Sequence, residues 1–194
     1  MTFFVNFFVA AVLMGTTLMY GTLGEILTEK VGNMNLGVEG LIYMGGSSGL
    51  IAAFLYERAA GDGAVPMVAV LLAFAAAFLA AALGSLLYAF LTITLRTNQN
   101  VTGLALTIFG VGYGEFFGEY FRGIGGGRLQ ISQAAGTIFS QPLLPGFLRD
   151  IPVLGKLLFS YNFMIYLVLA IAVVMAWYFA RTRSGLSLRA MGED

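Results

Sequence analysis

The chain contains no cysteine and no histidine, a single tryptophan, and only four prolines in 194 residues. Without cysteine there is no disulfide, no thiolate metal site and no cysteine nucleophile. Without histidine the usual general base near neutral pH and the commonest metal ligand are both missing. No metal, cofactor or catalytic residue is therefore expected, and any covalent chemistry would have to run on carboxylates, lysine or hydroxyls. Charge is scarce too. Ten basic and ten acidic residues cancel to a formal net charge of +0, which removes the electrostatic case for nucleic acid. Met1 to Phe8 carry no positive charge. A secretory leader has a basic n-region, so the start of the chain reads as a membrane span.

What is abundant is apolar. The composition is 59% hydrophobic and 10% charged, with mean hydropathy +0.87, whereas a soluble domain is about 45–50% apolar and about 25% charged. One core of this size cannot hide that much apolar surface, so lipid must solvate much of it. The runs are long and unalternated, unlike the strands of a barrel. The expected fold is all-α: a polytopic helical membrane protein with about five or six transmembrane helices and a short interfacial segment. Spans are expected at 3–23, 38–56, 65–95, 101–118 and 163–180. The third is too long for one upright helix, so it should tilt or kink at Gly84-Ser85. Residues 119–162 hold glycines, three of the prolines and scattered charges, and read as a loop with a helix lying on the membrane surface. Five spans put the termini on opposite sides. Basic residues then divide equally between the two sides, so the positive-inside rule does not choose an orientation.

Several short patterns invite a functional reading. Gly45-Gly46-Ser47-Ser48-Gly49 matches the G-x-S-x-G of serine hydrolases, but no base exists to activate the serine. Gly45 and Gly49 instead share a helix face suited to close packing, as do Gly110, Gly114 and Gly118. Glu115 and Glu119 could relay protons; the simpler reading puts them at the membrane interface with Arg122 as a neutralising partner. The segment 96–103 is rich in amides and hydroxyls, and lines a polar pathway or forms a solvated loop. The densest polar stretch is 24–40, where Glu25, Glu29, Lys30, Asn33, Asn35 and Glu39 alternate with four glycines. Such a stretch between two membrane-length segments must lie in water, in a protein-lined cavity or against a partner. Asn33 to Gly40 reads as unwound backbone of the kind transporters place along their pathways. Glu25, Glu29 and Lys30 read as a solvated or partner-facing turn.

Three segments together carry a resemblance. Residues 24–40 (GEILTEKVGNMNLGVEG), 96–110 (RTNQNVTGLALTIFG) and 182–194 (TRSGLSLRAMGED) resemble three signatures, in the same order, of ABC-importer permeases of the simple-sugar and nucleoside group, which includes ribose and branched-chain amino acid types. Asp194 stands where that family usually has asparagine. Family members continue past this point with further helices, so the chain is expected to be an N-terminal fragment of a single transmembrane permease domain. The resemblance implies a permease subunit in the inner membrane with no enzymatic activity of its own. Its implied partners are a second permease subunit forming a heterodimer, a cytoplasmic ABC ATPase, a substrate-binding lipoprotein or periplasmic protein, and membrane lipid. It implies that 181–194 is a cytoplasmic coupling segment in which Gly185, Arg189, Gly192 and Glu193 contact the ATPase. Residues 119–162 then become an extracytoplasmic loop. For the substrate pathway the residues chosen are Asn33, Asn35, Glu39, Asn98 and Gln99, whose amides and carboxylate suit sugar hydroxyls or a nucleobase edge. The competing reading is an ion- or proton-coupled carrier using Glu25, Glu39 and Glu115; a lipid-modifying membrane enzyme is a weaker third.

Overall fold

A computed structural model describes residues 2–149, 151 and 154–192. Long helices α1 (Thr2–Glu29), α2 (Val38–Ala60), α3 (Pro66–Ala89) and α4 (Gln99–Ile124) come first. Three short ones follow: α5 (Gln133–Ser140), α6 (Gly146–Arg149) and α7 (Leu154–Leu158). The chain then forms α8 (Phe163–Arg181) and α9 (Arg183–Gly192). Among the described residues, five helices are long and apolar enough to cross a membrane: α1, α2, α3 with its extension, α4 and α8. Their surfaces remain greasy: Phe3, Phe78 and Ile108 are each at least 75% exposed. Such side chains on membrane-length helices need lipid as their solvent.

The chain splits into two compact units, Met1–Asn33 with Phe139–Asp194, and Met34–Ile138. In the first, α1 packs with α7 and α8, and α8 with α9. Its buried residues include Val5, Tyr161, Ile165, Val168 and Phe179. Tyr20 on α1 donates its hydroxyl hydrogen to the Met164 carbonyl at 2.7 Å. Asn162 starts α8 by accepting from the Ile165 N–H, and its amide nitrogen donates to the Phe139 carbonyl. Burial pushes the Tyr161 phenol above its ordinary pKa, and the Tyr166 phenol adds to the shift.

In the second unit α2 packs on both α3 and α4. A 3-10 turn at Gly61–Gly63 reverses the chain between α2 and α3, and Pro66 occupies the first turn of α3, where its missing N–H costs nothing. Gly45 and Gly49 lie against the Ala77 and Ala73 carbonyls of α3. At the far end of α2, Glu57 accepts from both the N–H and the hydroxyl of Ser132, and Arg58 donates to the Ile124 carbonyl.

Two boundaries and one irregularity differ from the sequence expectation. Helix α1 does not stop at 23 but runs to Glu29, so Glu25 and Glu29 are helical and the turn begins only at Lys30. Helix α4 passes 118 and reaches Ile124, which shortens the loop, brings Glu119 into the helix and leaves Glu115 nine residues from its end. The third span is continuous α-helix through Gly84-Ser85. It ends instead in a π-turn at Phe90–Thr94, where the Leu95 N–H reaches back five residues to the Phe90 carbonyl. Gly84 is used for packing: a Cβ there would meet Leu41 and Met44.

Candidate functional site

Helix α1 ends in a Schellman motif. The Asn33 N–H bonds the Thr28 carbonyl and the Gly32 N–H bonds the Glu29 carbonyl, with Gly32 in the left-handed region at φ 79°. The division between the two units falls next, between Asn33 and Met34.

In the second unit, Met34 to Gly37 are non-helical and are latched onto α3 and α4. The Met34 N–H donates to Gln99 Oε1 at 3.1 Å, and the Tyr88 hydroxyl donates to the Met34 carbonyl at 2.7 Å. The Thr107 hydroxyl donates to the Leu36 carbonyl at 2.8 Å. Asn35 is buried and turns its own chain, its Oδ1 accepting the Gly37 N–H at 2.9 Å. The backbone at Leu36 rests directly on Gly103, where a Cβ would stand 2.8 Å from the Leu36 nitrogen. One turn further, Gly40 and Gly110 meet backbone to backbone. The segment 96–103 is thus both a cap and a clamp. Asn98 caps α4 by accepting from the Asn100 and Val101 N–H groups, and the next residue holds Met34. Non-helical backbone beside a membrane needs such internal partners. Tyr88→Phe, at a buried site, keeps the shape and removes one of them. It should lower stability by about 1–2 kcal/mol in urea unfolding of the detergent-solubilised chain.

The structure therefore brings Asn35, Asn98 and Gln99 into one latch, with the Asn35, Asn98 and Gln99 side-chain oxygens all accepting backbone N–H groups. Asn33 lies in the other unit, half-buried at the α1 cap. Glu39 is exposed in the first turn of α2, where the helix dipole favours a carboxylate.

Below Glu39, the same face of α2 opens into a groove of about 650 Å³ against α4. Tyr43, Gly46 and Ser47 form one wall; Gly114, Glu115, Gly118 and Glu119 form the other, with Arg122 at its end. Glu119 and Arg122 form an ion pair at 2.8 Å. A second hollow of about 550 Å³ lies on the outer side of Glu115 and Glu119, beside Phe116 and Tyr120. On the opposite side of the α2–α4 seam, Ser48 and Tyr113 share a hydrogen bond of 2.9 Å. Gly110 sits in the seam, Gly114 makes ordinary contact with Tyr43 and Ser47, and Gly118 faces open space. The groove was missed because Glu115 and Glu119 were set at a span end. The visible signal was the repeat Gly114-Glu115-Phe116-Phe117, Gly118-Glu119-Tyr120-Phe121, which stacks two Gly-Glu pairs one helical turn apart.

In the first unit, Thr182 accepts the Gly185 N–H and so starts α9. Gly185 lies on the Tyr178 carbonyl, and Gly192 lies on Lys30 and Gly32 at the α1 cap. Leu186 and Met191 are exposed, and Arg189 is half-buried. Glu193 lies outside the described residues.

The sequence matches, over residues 7–194, the family described as "Branched-chain amino acid transport system / permease component". It is 32% identical over 198 residues to a putative glucose ABC transporter permease protein of Haloferax volcanii, covering 100% of this chain and 54% of the relative. It is 30% identical over 192 residues to the guanosine ABC transporter permease protein of Bacillus subtilis, covering 95% and 57%. It is 31% identical over 181 residues to a nucleoside ABC transporter permease protein of Lactococcus lactis subsp. cremoris, covering 92% and 53%. The chain thus spans about half the length of the curated relatives it matches. No solved structure matches it. With five membrane-length helices and a family match running through all three signature segments, the chain belongs to the branched-chain amino acid transport system permease family and is a multi-pass cell-membrane protein.

Proposed function

We propose that the chain acts as a permease subunit of an ATP-driven importer that carries nucleosides or related simple sugars. The observation that carries this is α9. A ten-residue helix directly after the last span exposes Leu186 and Met191, while Gly185 and Gly192 seat it on α8 and on the α1 cap. It is a rigid peg with an apolar, basic tip, suited to a groove on a cytoplasmic ATPase. Gly185 and Gly192 shape its seat, and Arg189 joins the docking face. The three relatives, named for glucose, guanosine and nucleosides, supply the substrate class. The chain does no covalent chemistry in this reading: ATP is hydrolysed by the ATPase subunit, a second permease completes the membrane unit, and a substrate-binding lipoprotein or periplasmic protein delivers the substrate.

With α9 in the cytoplasm, alternation of five spans puts the loop 30–37 and the π-turn end of α3 on that side too. The short helices α5, α6 and α7 then lie on the extracytoplasmic surface. Glu39 faces the substrate path, while Asn35, Asn98 and Gln99 hold the loop that frames it, and Asn33 closes the α1 cap.

The test is uptake of labelled nucleoside and glucose by vesicles carrying the assembled transporter. Uptake should require ATP and persist after a protonophore collapses the proton gradient, and Glu39→Gln should slow it about tenfold, the loss of one charged hydrogen bond. A carrier driven through Glu25, Glu39 and Glu115 gives the reverse: uptake that dies with the gradient and ignores ATP. The family match does not favour that reading.

A further inference from the structure

The groove between α2 and α4 contains a carboxylate that makes no ion pair among the described residues. Glu115 lies about 24 Å along α4, at 1.5 Å per residue, within the membrane-length helix. Its neighbour Glu119 is neutralised by Arg122, whereas Glu115 makes no ion pair among the described residues. A carboxylate at such depth is expensive when it faces lipid, and marks a substrate or ion path. By contrast, α3 has no charged residue along Pro66–Ala89.

The surroundings of Glu115 define what it can bind. Tyr43, 49% exposed, lines the groove with an aromatic ring. Ser47 donates its hydrogen to the Tyr43 carbonyl at 2.7 Å, so its oxygen is left as an acceptor. Gly46 and Gly118 have nothing within 4 Å of where a Cβ would stand, so a flat ring can lie against helix backbone. We propose that this groove binds the sugar ring of the transported molecule, the part shared by a hexose and a ribonucleoside. Glu115 accepts hydrogen bonds from adjacent ring hydroxyls, Ser47 accepts from a third, and Tyr43 stacks on the C–H face. An acyl chain offers none of these donors. This assignment rests on the importer reading above.

The experiment measures uptake of labelled glucose and labelled nucleoside by vesicles carrying the assembled transporter, with Glu115→Gln, Gly118→Leu and Gly112→Leu variants at matched membrane levels. Gly112 also faces open space but does not line the groove. For whichever compound the wild type carries, Glu115→Gln should raise KM about tenfold, as expected for a lost charged hydrogen bond. Gly118→Leu should block uptake by filling the groove, and Gly112→Leu should leave it unchanged. Excess free sugar should compete, and free nucleobase should not. An unchanged KM in Glu115→Gln, or competition by nucleobase alone, overturns the groove while ATP-driven uptake by the wild type keeps the importer reading intact. A wild-type assembly that moves neither compound overturns both.

Discussion

Gly110→Val should prevent α2 and α4 from closing. A Cβ at Gly110 would fall on the carbonyl, carbon and Cα of Gly40, and one at Gly40 would fall on the Leu106 carbonyl and Thr107 Cα. All are backbone atoms, which cannot rotate aside as a side chain can. Ordinary overpacking costs about 1–3 kcal/mol, and this contact has less room to relax, so the loss should reach or exceed the top of that range. The sign is informative because removing a glycine from an exposed helix normally gains up to about 1 kcal/mol. Urea unfolding in detergent, followed by far-ultraviolet circular dichroism, should show a large drop for Gly110→Val and almost none for Gly112→Val, whose side chain meets open space. Equal stabilities would mean that the two helices do not touch at Gly40.

The second large effect concerns coupling. A Cβ at Gly192 would stand 2.5 Å from the Lys30 carbonyl oxygen and 2.8 Å from the Gly32 nitrogen. Gly32 cannot step aside, because its positive φ completes the α1 cap. Gly192→Val should therefore lift the end of α9 from its seat. About 1–3 kcal/mol of overpacking corresponds to a roughly five- to hundredfold loss of the seated helix. In the proposed importer, reconstituted with an ABC ATPase, the variant should lose ATP-driven uptake on that scale, while the ATPase keeps its basal turnover and no longer responds to substrate. Wild-type coupling in Gly192→Val would remove α9 from the transmission of the power stroke.

The spans were legible because hydrophobic runs of membrane length leave few alternatives. Helix α8 was placed within one residue, since Asn162 caps its start and Arg181 follows the last apolar residue. Ends set by hydrogen bonding were not legible from hydropathy. The apolar run of α1 stops near Leu23, yet the helix persists until Gly32 can reverse the chain. The third span was placed within one residue at each end, but its irregularity was sought at the wrong place. Gly84 looked like a weak point, but its missing side chain admits Leu41 and Met44. The irregular turn comes later, where the Thr92 hydroxyl bonds the Tyr88 carbonyl. The amides teach the same lesson at the site. Asn35, Asn98 and Gln99 carry the chemistry of sugar recognition, but composition cannot reveal that backbone N–H groups already occupy their oxygens. Glu115 went the other way: its distance from the helix end depends on how far α4 continues, and Glu119 with the glycines from Gly123 onward read as the start of a loop, whereas the helix runs on to Ile124.

The division of the chain has a consequence in time. Met34–Ile138 is contiguous, so its three long helices can associate as soon as they leave the ribosome. The other unit needs both ends of the chain. Helix α1 is made before that stretch, but its partners α7 and α8 come after it. At about 5–20 residues per second, the α1 span waits roughly 6–25 s in the membrane before α7 begins to be synthesised. During that interval its exposed phenylalanines and Tyr20 have only lipid, or an insertion chaperone, for company. Slowing translation within 34–138 should thus lengthen the vulnerability of α1 to membrane proteases without affecting the unit that folds meanwhile.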